Sequence, residues 1–385
     1  MTITTLATAS RVQKWDSQFL SEYVRTSRFM PYMGKASGRG ITGSNDKAVI
    51  LIKTELTTAG KIVNIPLITR LKGTGVQGNT VLIGSEEALS NYNMPIHVNY
   101  NRNGVSIPEA DEHWTEMDLR GAAKGTLRTW AAESLRNDII ISLMSPDGTA
   151  YVQSLDATAA TGTVRTPAAW WANQISANQA GLDTWLTNNE DRVLFGTQAT
   201  VTGDFSASAL LLTDGTDGMS AATIDAAKNL AKTADPHITP MSVDDANGRE
   251  YYVMFMSTAD FANAKKDATI QAYNKDARPR EVSSNPVFQD GDLIYDGVIL
   301  REVPEIPTGG AIGVGGDVAS QSFLCGAQAL AVAWGMRPQS RTAAETDYGH
   351  FAKMGVTECR GVAKTFFDGK QHGVVSVYST AAPNA

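Results

Sequence analysis

Cysteine is nearly missing from this sequence: Cys325 and Cys359 are the only two in 385 residues. Two thiols without metal-type spacing exclude a cysteine-based zinc site and a disulfide scaffold, and they suit a reducing cytoplasm. Histidine is also sparse. His97, His113, His237, His350 and His372 are scattered, with no pair at ligand spacing. No apolar run approaches the roughly 20 residues of a membrane span. The Thr- and Ala-rich start, Met1 to Ser10, lacks the basic-then-apolar order of a signal peptide. Basic residues are outnumbered, 33 Lys and Arg against 40 Asp and Glu, for a net charge of -7. That balance argues against a protein that grips nucleic acid electrostatically, although it leaves DNA as a neighbour open.

Catalytic signatures are missing as well. There is no G-x-S-x-G elbow. Gly73-Thr-Gly75-Val-Gln-Gly78 matches a dinucleotide fingerprint literally. However, Asn79 to Ile83 is poor material for the helix that should receive a pyrophosphate, and no ribose-binding acid follows at the expected spacing. A loop tip fits it better. Gly309-Gly310 to Gly315-Gly316 lacks the Lys-Ser/Thr of a P-loop. Asp214-Gly-Thr-Asp217-Gly218 is too short for an EF-hand and reads as a surface turn. These absences predict a protein that is not an enzyme and needs no cofactor or metal.

What is present is ordinary globular composition, 42% hydrophobic and 19% charged, in a chain long enough for two or three domains. Its organising stretch is Ser106 to Met144, which reads as one long helix. Ser106 and Glu109 have the form of a capping box, and Pro108 suits a first turn. Trp114, Met117, Gly121, Leu127, Trp130, Leu135, Ile139 and Ser142 recur at helical steps. Acids crowd its start and bases come later, as the helix dipole favours. Its length would be about 50 Å.

Before it, Arg11 to Phe29 reads as an amphipathic helix with Trp15, Phe19 and Tyr23 on one face. These are candidates for contact with a partner surface or with the chain's own core. Residues 34–45 read as a linker. Asp46 to Ile107 reads as a long β arm, with strands at Ala48–Ile52, Lys61–Leu71 (Pro66 making it an edge) and Pro95–Ile107. An isolated ribbon is marginal in water, so this arm needs a neighbour to lie on. At its tip Lys61, Arg70 and Lys72 face Glu86 and Glu87. Solvated surface and pairing with patches on a neighbouring copy are both open. Further on, helices are expected at Ala221–Lys232 and Thr258–Thr269, and a buried strand at Tyr251–Met256. Hairpins are expected around Asp296-Gly297 and Asp368-Gly369, and a glycine-rich loop at Thr308–Gly316. The class is α+β.

Taken in order, several stretches resemble the major capsid proteins of tailed bacteriophages, in the group related to the coat protein of coliphage N-four. They are Glu22-Tyr-Val-Arg25 through Phe29-Met-Pro-Tyr-Met-Gly34, Ile65-Pro66-Leu67 with Arg70-Leu-Lys-Gly73, and Gly84-Ser-Glu-Glu-Ala-Leu89. Beyond the long helix come Asp191-Arg-Val-Leu-Phe-Gly196, Asn285-Pro-Val-Phe288, Tyr295-Asp-Gly-Val298, Gly326-Ala-Gln-Ala329, Asp347-Tyr-Gly349, Gly369 and His372-Gly-Val374. No single block is diagnostic; order and spacing carry the match.

The resemblance implies the Hong Kong 97-type capsid fold. Its parts would be an N-terminal arm at 1–45, an extended β E-loop at 46–107, a peripheral domain at 108–200 with a spine helix at 108–144, a mainly axial domain at 201–320, and strands at 321–385 returning to the peripheral domain. It implies hexamers and pentamers of this chain closing into an icosahedral virion shell, assembled in the host cytoplasm around double-stranded DNA that is not read by sequence. Implied partners are a portal protein at one vertex, a decoration protein in some shells, and a scaffolding protein. The scaffold is expected to be separate, because the E-loop begins too early in this chain for a scaffolding extension. No membrane is implied. A non-viral compartment of the same fold is the rival structural reading.

Overall fold

A computed structural model of the chain describes residues 29, 32–35, 48–53, 60–68, 75–79, 83, 86, 91–146, 148, 166–169, 171, 179–197, 203–213, 216–242, 250–276, 293–311, 316–342 and 350–381. The first half carries β1 (Met33–Lys35), β2 (Ile50–Lys53), β3 (Ile62–Ile68), β4 (Asn91–His97), β5 (Asn99–Pro108), α1 (Glu109–Trp114), α2 (Leu119–Met144), α3 (Gln179–Asn188) and β6 (Val193–Phe195). A central stretch follows with α4 (Phe205–Ala209), α5 (Ala221–Thr233), β7 (Met241–Ser242), β8 (Glu250–Met256), α6 (Thr258–Lys266), α7 (Ala268–Asp276), β9 (Leu293–Tyr295), β10 (Val298–Glu302) and β11 (Thr308–Ala311). The chain closes with β12 (Val318–Cys325), β13 (Leu330–Thr342), β14 (Phe351–Lys364), β15 (Phe366–Phe367), β16 (Lys370–Gln371) and β17 (Val374–Thr380).

Two sheets organise these elements. One has five strands in the order β1-β2-β13-β14-β5, parallel across β1, β2 and β13 and antiparallel thereafter. The other runs β6-β17-β12-β8-β10-β9, with β11 added to β12 and β7 to β8. Leu127, Leu135, Ile139 and Leu143 of α2 are buried in one core with Val332, Val356 and Val362 of the first sheet and with Phe323 and Val374 of the second. A separate core gathers Ile224 and Ala227 of α5, Phe261 of α6, and Met254, Leu300 and Val377. The long helix therefore crosses from one sheet to the other.

The helix does not start at Ser106. Ser106 and Ile107 are strand residues opposite Lys353 and Ala352, so the apparent capping box is consumed by a ladder. Extended backbone at Pro108 (φ -71°, ψ 142°) admits the one-and-a-half turns of α1, and Thr115 (φ -115°, ψ 133°) ends them. The main helix restarts where the Asp118 carboxylate accepts the Gly121 N–H at 2.9 Å, a side-chain N-cap. Its 26 residues span about 39 Å, not 50 Å. Trp114, Met117 and Gly121, expected on the buried stripe, face solvent.

Other differences are smaller. The 46–107 arm is not one ribbon: β2 and β5 belong to the five-stranded sheet, and only β3 and β4 form a two-stranded hairpin. Thr258–Thr269 is broken at Asp267, whose carboxylate accepts the N–H groups of Thr269, Ile270 and Ala221. Burial pushes that carboxyl up, but these backbone donors outweigh it and leave it below its usual range. The glycine-rich 308–316 segment supplies a strand, because β12 offers it an edge. The helix at α5, the strand at β8 and both Asp-Gly turns match the sequence reading. Asp296-Gly297 and Asp368-Gly369 hold φ of 42° and 75°, and of 50° and 77°, as a tight hairpin turn requires.

Candidate inter-subunit surfaces and the joints behind them

The β3–β4 hairpin has two faces. Val63, Ile65, Met94 and Ile96 are buried, while Asn64, Pro66, Asn93 and Pro95 are exposed. Strand alternation alone produces this. The buried face packs on Leu51, Ala331, Ala333 and Ala363 of the five-stranded sheet and on Phe367 of β15. Small alanines there let the ribbon approach closely. Gly361 takes this furthest: a Cβ at that position would stand 2.2 Å from the His97 carbonyl oxygen. The root is closed by the Val98 N–H donating to the Lys61 carbonyl at 3.0 Å.

Lys61 is therefore at the root of the hairpin and not at its tip, because the register sets Ile62 opposite His97. Its side chain is exposed, as is that of Glu86 in the connection between β3 and β4. Trp15, Phe19, Tyr23, Arg70, Lys72 and Glu87 lie outside the described residues. Within Gly73 to Gly78, Gly75 and Gly78 hold φ of 69° and 72° with open space where a side chain would go. No described residue between β3 and β4 is helical, so nothing there presents a helix N-terminus to a phosphate. Asp217 is an internal brace: its carboxylate accepts the Thr213 N–H at 2.9 Å and its carbonyl accepts the Thr380 N–H.

Behind these surfaces lie buried polar joints. Arg360 on β14 donates to Asp138 of α2 at 2.6 Å, to Ser134 at 2.8 Å, and to Glu358. Asn101 of β5 bonds both Glu358 and Ser134 at 2.9 Å. The Arg360 guanidinium thus pins the helix to β14, and the Asn101 amide ties both to β5. Burial holds the Glu358 carboxyl above its usual range; Arg360 and Asn101 oppose this, and Asp138 adds to it. A second joint centres on Lys364, wholly buried, which donates to the Leu143 and Ser145 carbonyls at the end of α2 and to Gln371. A cation at a helix C-terminus satisfies its open carbonyls and its dipole. Arg192, also buried, donates to the Gln371 and Pro236 carbonyls. A third joint holds α6 to the second sheet, where Asp260 accepts hydroxyls from Ser320, Ser322 and Ser379 at 2.5–2.7 Å. Burial raises its carboxyl despite these donors.

None of these groups is arranged to act on a substrate. Each carboxylate and cation is spent on a neighbouring element, and burial pushes the Cys325 thiol well up, away from reactivity. Among the described residues, no cluster of His, Cys, Asp or Glu could hold a metal ion, and no helix is long and apolar enough to cross a membrane. Of the joint residues the sequence reading touches Arg192, inside the block Asp191 to Gly196, and assigns no role to it or to Arg360, Lys364 or Asp260. The signal that was there is charge inside an apolar strand, Val356-Thr-Glu358-Cys-Arg360-Gly-Val-Ala-Lys364.

A long helix laid across two sheets and a two-stranded hairpin resting on one of them match the Hong Kong 97-type capsid fold. The chain belongs to the phage capsid protein family, whose model matches residues 3–383. It is a major capsid protein, a structural component of the virion and not an enzyme. It is 26% identical over 359 residues to a major capsid protein of Pseudomonas phage KPP25, covering 88% of this chain and 89% of that one. Among solved structures, the capsid asymmetric unit of cyanophage Pam1 is 36% identical, with a TM-score of 0.75 and full coverage of both chains. The capsid of Ralstonia phage GP4, 23% identical with a TM-score of 0.65 over 91% of this chain and 95% of that one, shares the fold.

Proposed function

We propose that copies of this chain form hexamers and pentamers that close into an icosahedral shell around the double-stranded DNA of a tailed phage. The supporting observation is the division of labour within the subunit. Polar joints tie α2 to β14 and one core packs it against both sheets, while among the described residues the β3–β4 hairpin pairs with no third strand and keeps one face exposed. In this reading the β3–β4 hairpin and its connection, within 46–107, act as the E-loop and reach a neighbour, α2 is the spine of the peripheral domain, and the central 201–320 region supplies most of the axial domain at the capsomer centre. A scaffolding protein, a portal at one vertex and, in some shells, a decoration protein would complete the particle. The negative net charge would let the packaged DNA lie against the shell and leave it without strong adhesion.

Electron microscopy of the expressed chain, alone and with a co-expressed scaffold, tests this reading. Closed regular shells are the expected result; a monodisperse monomer or dimer under both conditions would overturn it. Deleting Lys72 to Ser85 is expected to leave a folded subunit that fails to close shells. Normal shells from that variant would remove the E-loop assignment.

A further inference from the structure

Three large apolar side chains stand in solvent close together in sequence: Tyr100 at 66%, Trp114 at 79% and Met117 at 70% exposure. Tyr100 lies on β5, the edge strand of the five-stranded sheet, and the other two flank the elbow between α1 and α2. Exposed aromatics grouped this way mark interaction surfaces. The charge around them is sorted. From Glu109 to Asp118 the elbow carries Glu109, Asp111, Glu112, Glu116 and Asp118, with no Lys or Arg. Of these, Glu112 is engaged by Arg120.

The sheet beside it is the opposite. In β5 and β13, and in β14 from Phe351, the only carboxylate is Glu358, which is buried against Arg360. Cross-strand register places Arg102 opposite Thr357, Gly104 opposite Gly355, and Ser106 opposite Lys353; Arg341 faces Gly355 from the other side. Strand alternation sets Tyr100, Arg102, Gly104 and Ser106 on one face, away from Asn101, which bonds Ser134 of α2. The two glycines leave that face flat between three cations, with an exposed tyrosine at one end.

From this sorting we propose that the acidic elbow of one copy docks on the basic outer face of β5, β14 and β13 in a second copy. Trp114 and Met117 would lie on the Gly104–Gly355 platform against Tyr100, and Asp111 and Glu116 would meet Arg102, Arg341 and Lys353. The two surfaces are different and sit side by side on one molecule. In the shell reading the contact runs head to tail, elbow to sheet, and repeats around a capsomer as a ring of copies. Charge complementarity fixes its register, and the buried tryptophan supplies its anchor. The proposal rests on the shell reading and names one contact within it.

The test uses the full chain and charge exchange. Asp111→Lys with Glu116→Lys reverses the elbow; Arg102→Glu with Arg341→Glu reverses the sheet. Each pair alone is expected to lower shell yield about tenfold while the unassembled subunit melts as wild type. The four changes together, or the two variants mixed, restore shells. Acrylamide quenching of Trp114, read as the difference from Trp114→Phe, is expected to drop on assembly. If wild type closes no shells, the shell reading fails first. If wild type assembles and both reversed variants do too, with Trp114 still quenched, this contact is wrong and the shell stands. Loss without rescue by exchange overturns the pairing. Normal shells that lose only their DNA when the sheet is reversed would assign that face to nucleic acid instead.

Discussion

Arg360 is the residue on which the joint between helix and sheet turns. Replacing it with Met leaves Asp138 and Glu358 buried without their cation, and a buried charge stripped of its partner costs about 3–5 kcal/mol. Denaturant unfolding of the Arg360→Met subunit should show that loss. Replacing Asp138, Glu358 and Arg360 together with apolar residues should recover much of it. His372 makes a different prediction. Burial, with Arg192 second, lowers its imidazole from 6.5 to about 4. The unfolded chain therefore takes up a proton between pH 6.5 and 4 that the folded chain refuses. Stability from this group is complete above pH 6.5 and is lost as pH falls through that window, by up to about 3 kcal/mol at 1.36 kcal/mol per unit. Glu358 and Asp260, held high by burial, act in the opposite sense. The measurement is thus the difference in unfolding free energy between wild type and His372→Gln from pH 7 to 4: the wild-type value should fall relative to the variant's as pH drops.

Among the elements, the glycines separate two kinds of position. Gly361→Ala would drive a Cβ into the His97 carbonyl, a backbone atom that cannot swing aside. A cost of about 1–3 kcal/mol is expected, with the hairpin root the first region to lose amide-exchange protection. Gly125 sits in α2 with nothing within 4 Å of an added Cβ. Gly125→Ala should raise stability by about 1 kcal/mol on helix propensity. Legibility in the sequence divides along a similar line. Elements set by local chemistry could be read directly, as at the Asp-Gly turns, α5 and the β8 run. The start of the long helix could not: Ser106 to Glu109 has a sound local capping pattern, and a ladder to β14 overrules it. Lys61 sits at the root of its hairpin, and the sequence does not show this because register is not written in the strand itself. The joints were invisible for a related reason, since Arg360 and Asp138 are 222 residues apart.

For the whole molecule, the resemblance in block order conveyed what no motif did, because a shell subunit works by shape and carries no catalytic signature. Its charge balance leads to a prediction about the particle. Shells opened mechanically should release DNA to nearly the same extent at 50 and about 200 mM salt; strong retention at low salt alone would mean that the inner surface binds phosphate.

The five-stranded sheet also has a timetable. Its strands β2 and β5 come from the first third of the chain and wait for β13 and β14, which come from the last. At about 5–20 residues per second, a ribosome takes roughly 10–45 s to travel from Asp138 to Arg360. Throughout that interval α2 lacks the strand that carries Arg360, and the hairpin has no floor of alanines to lie on. A growing chain thus cannot complete this sheet until β14 has been made. Ribosome-held chains stopped before residue 351 should accordingly be cut by protease within α2, and chains extended past residue 381 should resist it.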